Sequence, residues 1–102
     1  SEVDPELFQA LGNHIVARGL NDFWPQDVSI IVWAFATAGV SHPILFNKIG
    51  DHVAGSGSFS FESQDLSNTS WAFATAGVSH PELFKKIGHH IAGLDSLDSF
   101  EP

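Results

Sequence analysis

The sequence predicts an all-α fold, an α-solenoid of stacked helix-turn-helix repeats with about five helices, on three observations. Residues 33–55 (WAFATAGVSHPILFNKIGDHVAG) return at 71–93 as WAFATAGVSHPELFKKIGHHIAG, with 19 of 23 positions identical at an offset of 38, which marks tandem copies of one structural unit. Within each copy the apolar residues recur at helical spacing rather than in strand alternation. Glycine, proline and small polar residues break each copy at two places, so the unit is a pair of helices with a tight turn between them.

The repeat reaches beyond those two copies. Pro5-Glu6-Leu7-Phe8 matches Pro43-Ile44-Leu45-Phe46 and Pro81-Glu82-Leu83-Phe84, and Phe23–Val28 (FWPQDV) matches Phe61–Leu66 (FESQDL) at the same offset. Phe100-Glu101-Pro102 follows Phe61-Glu62-Ser63 by 39 residues, so the last linker is one residue longer. The single domain 1–102 therefore divides into a half repeat at 1–22, repeats at 23–60 and 61–99, and the start of a further repeat at 100–102. Starting in register and without an initiator Met, it reads as a processed chain or a fragment of a longer array, with end-to-end self-association as a further expectation.

The first helix of each unit, helix A, is expected over 25–39 and 63–77. Leu66, Phe73 and Gly77 fall on one side at 100° per residue, flanked by Thr69, Ser70 and Ala76. Pro25 suits the first helical position, where its missing N–H costs nothing. Asp27 and Asp65 set acid beside the positive end of the helix dipole. Gly39 and Gly77, each followed by valine, have the pattern of a left-handed cap closed by an apolar side chain.

Helix B follows. Ser79-His80-Pro81-Glu82 has the Ser-x-x-Glu spacing of a capping box, incomplete in the middle copy where Ile44 replaces the glutamate. An apolar stripe recurs as Leu7, Phe8, Leu11, His14, Ile15; as Leu45, Phe46, Ile49, His52, Val53; and as Leu83, Phe84, Ile87, His90, Ile91. Gly12, Gly50 and Gly88 sit inside it at about 1 kcal/mol each relative to alanine, a cost that close packing must offset. Gly19, Gly55 and Gly93 are expected to end the helix, with polar linkers near 56–60 and 94–99.

Composition narrows the function classes. The chain has no cysteine, which removes disulfides, thiolate zinc sites and thiol chemistry. Its longest mostly apolar run, Ile30 to Val40, is far short of the roughly 18 residues of a membrane span. Twelve acidic residues against Arg18, Lys48, Lys85 and Lys86 give a net charge of −8, which favours basic partners over phosphate backbones. No cofactor is expected, and no metal either. His14, His52 and His90 on helix B, and His42 and His80 at its start, read as core-edge imidazoles hydrogen-bonded to neighbouring backbone, and equivalent positions of stacked helices lie ~8–10 Å apart, too far to share zinc at ~2 Å per ligand. No catalytic residue is assigned: Ser41-His42 and Ser79-His80 repeat as helix caps, and the carboxylates lie in first turns and linkers.

One face stands out. Gln64, Asn68, Trp71 and Thr75 line helix A opposite its core side, and the earlier copy presents Gln26, Ile30, Trp33 and Thr37. An amide, a flat aromatic and a hydroxyl per unit suit either a stacked base or a seated peptide. The structural alternative places both tryptophans between repeats as framework. Trp24, with Glu62 at its counterpart, reads as a local cap contact or an interface anchor.

The 38-residue period, Pro25-Gln26-Asp27, Leu66-Ser67-Asn68, the WAFATAG run and the HPELFKKI helix together resemble the octotricopeptide repeat and related repeats found with RAP domains, over nearly the whole chain. The resemblance implies an α-solenoid, a location in chloroplast or mitochondrion, and binding of single-stranded RNA in transcript maturation or translation. The charge, in contrast, points to a protein partner with a basic or apolar surface, the chain acting as scaffold or accessory subunit of a larger organellar assembly.

Overall fold

A computed structural model describes residues 4–56 and 61–98, the side chains of 94–98 excepted. Five α-helices follow one another: α1 (Pro5–Arg18), α2 (Pro25–Ala38), α3 (Pro43–Ala54), α4 (Ser63–Ala76) and α5 (Pro81–Asp98), with no strand among the described residues. Helix B of the sequence is α1, α3 and α5; helix A is α2 and α4. The linker residues 57–60 and the further repeat expected at 100–102 lie outside the described residues.

Equivalent helices pack side by side. α2 lies against α4, and α3 lies between α1 and α5, so the two helix types form two layers. The core between them holds Val28, Val32, Phe35, Leu45, Phe46, Ile49, Val53, Leu66, Phe73 and Leu83. Phenylalanines join the layers: Phe8 meets Phe35 edge-on at 5.0 Å, and Phe46 meets Phe73 at 5.1 Å, the same contact one repeat later.

The pattern of burial has a direction. Leu45, Ile49, Leu83 and Ile87 are buried, whereas Leu7 and Leu11, at the same repeat positions in α1, are exposed. Phe46 and Val53 are buried, Phe46 against Phe73 of the following unit, whereas Phe84 and Ile91 of α5 are exposed. The helix-A layer behaves alike: Ser29 and Ala36 are buried on the α4 side, and Ser67 and Ala74 are open. Each unit thus has one face for the unit before it and a different one for the unit after.

Helix starts and stops follow local chemistry. Pro25 opens α2, and Asp27 accepts the Trp24 backbone N–H at 3.0 Å, as Asp65 accepts that of Glu62 at 3.1 Å. Gly39 and Gly77 adopt φ of 72° and 71°, and Val40 and Val78 donate back to Phe35 and Phe73, the doubly bonded glycine stop that the Gly-Val pairs predict.

Two expectations are corrected. Helix B is capped not by Ser41 or Ser79 but by His42 and His80, whose Nδ1 atoms accept the backbone N–H of Leu45 and Leu83, both at 3.1 Å. A proline at the next position leaves no N–H there, so the cap falls one residue later than the Ser-x-x-Glu reading has it. Gly93 does not end α5, which continues through the expected linker to Asp98. Gly19 stops α1 at φ 91° where the turn carries Leu20 into the core. A glycine without such a gain stays helical at modest cost.

Candidate functional site

The side chains that the sequence singles out on helix A are held by the packing beneath them. Val28, Val32 and Phe35 on α2, and Leu66 and Phe73 on α4, bury the opposite side and leave Gln26, Trp33, Thr37, Gln64, Trp71 and Thr75 exposed and Asn68 half-buried. Ile30, Trp33, Gln64 and Asn68 come together as a groove of about 410 Å³ between the two helices. Thr75 lines a separate hollow of about 160 Å³ along the α2–α4 seam with Phe35, Ala36 and Gly39. Gln26, Thr37 and Trp71 line neither.

The indoles are not wedges. Trp33 is 45 % exposed and Trp71 47 %, while Phe35 and Phe73, two residues further on, fill the place between repeats. Ile30, which cannot hydrogen-bond to a ligand, makes the groove more apolar on its α2 side. Trp24 caps α2 through its backbone and leaves its ring largely in solvent, as an anchor for a neighbour would stand.

Charge divides between the layers. Arg18, Lys48, Lys85 and Lys86 all belong to α1, α3 and α5, so α2 and α4 carry no basic side chain. Asp27, Glu62 and Asp65 stand at the starts of α2 and α4. Asp65 is buried, 3.4 Å from the Ser29 hydroxyl of the neighbouring helix.

On the other layer the structure reveals a contact that sequence reasoning missed. The rings of His42 and His80 are buried and those of His52 and His90 half-buried, while His14, also expected at the core edge, is exposed. Each buried ring lies over a glycine of the preceding helix B: a Cβ on Gly12 would come within 2.4 Å of His42 Cδ2, and one on Gly50 within 2.3 Å of His80 Cδ2. Because Nδ1 accepts the cap hydrogen bond, Nε2 carries the proton, and it donates to Asn13 Oδ1 at 2.9 Å and to Asp51 Oδ1 at 2.8 Å. Glycine, its following polar residue and the next unit's histidine make one recurring latch. The 38-residue recurrence of Gly12/Gly50 and His42/His80 was the available signal; their pairing across units required coordinates.

Lys86 strengthens the same junction by donating to the carbonyls of Ala54 and Ser56 at the end of α3. Two hollows on this layer, about 460 Å³ beside Glu82, Lys85, Lys86, His89 and His90 and about 760 Å³ beside Ile44, Asn47, Lys48, Asp51 and His52, are open clefts between helices. Among the described residues no three His, Asp or Glu side chains converge as metal ligands would, and no helix is long and apolar enough to cross a membrane. Comparisons with protein-family models, with curated proteins and with solved structures found no match.

Proposed function

We propose that this chain is a non-catalytic α-solenoid module, of the kind the octotricopeptide-like pattern suggests, that seats a segment of another protein on the open face of α2 and α4. The observation that carries the reading is the groove of Ile30, Trp33, Gln64 and Asn68, flanked by a second half-exposed tryptophan and free of any basic side chain. Exposed aromatics with amides beside them are the composition of interface anchors. Acidic helix starts and a net charge of −8 add long-range attraction for a basic partner. The side-by-side packing of equivalent helices supports the solenoid, and extents of 52 × 28 × 21 Å fit a short rod. A scaffold or accessory role rests on the charge, and its setting in an organellar assembly on the sequence resemblance.

Single-stranded RNA is the second reading, favoured by an aromatic ring beside two amides, which suits base stacking and edge recognition. It lacks the cations that would neutralise phosphates, since every lysine and arginine lies on the other layer. Tryptophan emission separates the two, because Trp33 and Trp71 report directly on their own face. A Lys/Arg-rich peptide with aliphatic anchors is expected to shift the emission in a saturable way that weakens with salt, and Trp33→Ala with Trp71→Ala to abolish the response. A saturable response to oligouridine and none to the peptide would reverse the assignment.

A further inference from the structure

We infer that the segment seated on α2 and α4 is bound in extended form, one edge of its backbone hydrogen-bonded by the carboxamides of Gln64 and Asn68 and its basic side chains laid on the indoles. The inference rests on the function proposed above and adds the conformation of the partner to it. Its first support is that this face is open in both copies alike. Trp33 is 45 % exposed although α4 packs beside α2, and Trp71 on α4 is 47 % exposed. Gln26 and Gln64, and Thr37 and Thr75, are likewise exposed in pairs. Packing one unit beside another therefore leaves the face uncovered.

The second support is a pair of carboxamides that the protein does not use. Gln64 is exposed and Asn68 half-buried in the groove with Ile30 and Trp33, and neither carboxamide is hydrogen-bonded to another described group. Four residues apart on α4, they stand about 6 Å apart along the groove. An extended chain turns the N–H and C=O of every second residue to the same edge, at a repeat of about 6.6 Å. A carboxamide donates to a carbonyl and accepts from an N–H, so each of the two matches one residue of that edge. A helical segment satisfies its backbone groups internally and would leave both amides unbonded. Side chains of an extended segment alternate, so one set packs into the groove while the other faces water. Ile30 suits an aliphatic side chain of the inner set, and the half-exposed indoles suit the methylene stem and cation of lysine or arginine. Charge fixes the sign: the chain carries −8, and α2 and α4 hold no basic side chain to repel a cation.

The probe is a Lys/Arg-rich peptide with its aliphatic anchors in a unique order, followed by tryptophan emission. N-methylation at alternate residues removes the N–H groups of one backbone edge and spares the other. Of two such peptides, methylated at even and at odd residues, one is expected to bind about tenfold more weakly and the other like the parent. Gln64→Ala with Asn68→Ala is expected to weaken the parent peptide about tenfold and to erase the difference between the methylated pair, with circular dichroism confirming the fold. Gln26→Ala, which lies outside the groove, is expected to change neither. Methylated peptides that bind equally, or a helix-locked form that binds as tightly as the parent, would overturn the extended backbone and leave the partner face standing. A parent peptide without a saturable response, or a response to oligouridine alone, would overturn both.

Discussion

At the scale of the residue, the contact that sets one unit against the next is an imidazole lying on a glycine. The glycine is needed for the room it leaves, and that requirement differs between copies. Gly50→Ala is expected to destabilise the fold by about 1–3 kcal/mol, because the new methyl overlaps a buried ring that also caps α5. Gly88→Ala meets open space and is expected to raise stability by about 0.5–1 kcal/mol through better helix propensity. Urea denaturation midpoints, read on dilute samples, distinguish the two; equal effects would mean that His80 does not need the space. The sequence showed that these glycines and histidines repeat. It did not show that they meet, since the partners are 30 residues apart and the serine of Ser-His-Pro offered a more familiar cap. The proline settled that choice by shifting the helix start.

At the scale of the element, all five helices were legible, because two punctuation rules agreed with one periodicity. Pro25 and Asp27 fix where α2 begins, and the Gly-Val pairs fix where α2 and α4 stop. Removing the first-turn acids together, Asp27→Ala with Asp65→Ala, is expected to cost about 2 kcal/mol, roughly 1 for each helix start, measured by thermal or urea unfolding. The exposed face of helix A was legible too, by elimination, once its core side was identified. What periodicity could not rank was the aromatic pair Trp-x-Phe, either of which can be placed between neighbours. The phenylalanines are the ones enclosed, so Phe73→Ala is expected to cost about 3–5 kcal/mol. Trp71→Ala, with its ring half in water, is expected to cost about 1 kcal/mol. Equal losses would return the tryptophans to the framework. Gly93 escaped prediction because a glycine stops a helix only where the turn after it gains something, and Gly19, with Leu20 behind it, was a misleading guide.

At the scale of the whole molecule, burial tracks neighbours. The same repeat position is enclosed when a unit lies beside it and exposed when none of the described helices does, as Phe46 and Phe84, or Ile49 and Leu11, illustrate. On the function proposed above, the surface offered to another molecule is the tryptophan face of α2 and α4, which carries no basic side chain. The repeat announced this succession of helices, yet one sequence could not say which of the equivalent positions are enclosed. The arrangement as a succession of like units is tested most directly by nuclear Overhauser contacts in the isotopically labelled chain. Cross-peaks are expected from His42 Hδ2 to Gly12 Hα and from His80 Hδ2 to Gly50 Hα, with an unprotonated Nδ1 in both rings. Histidine contacts confined to their own helices, or rings that meet any glycine other than the one a unit earlier, would contradict it.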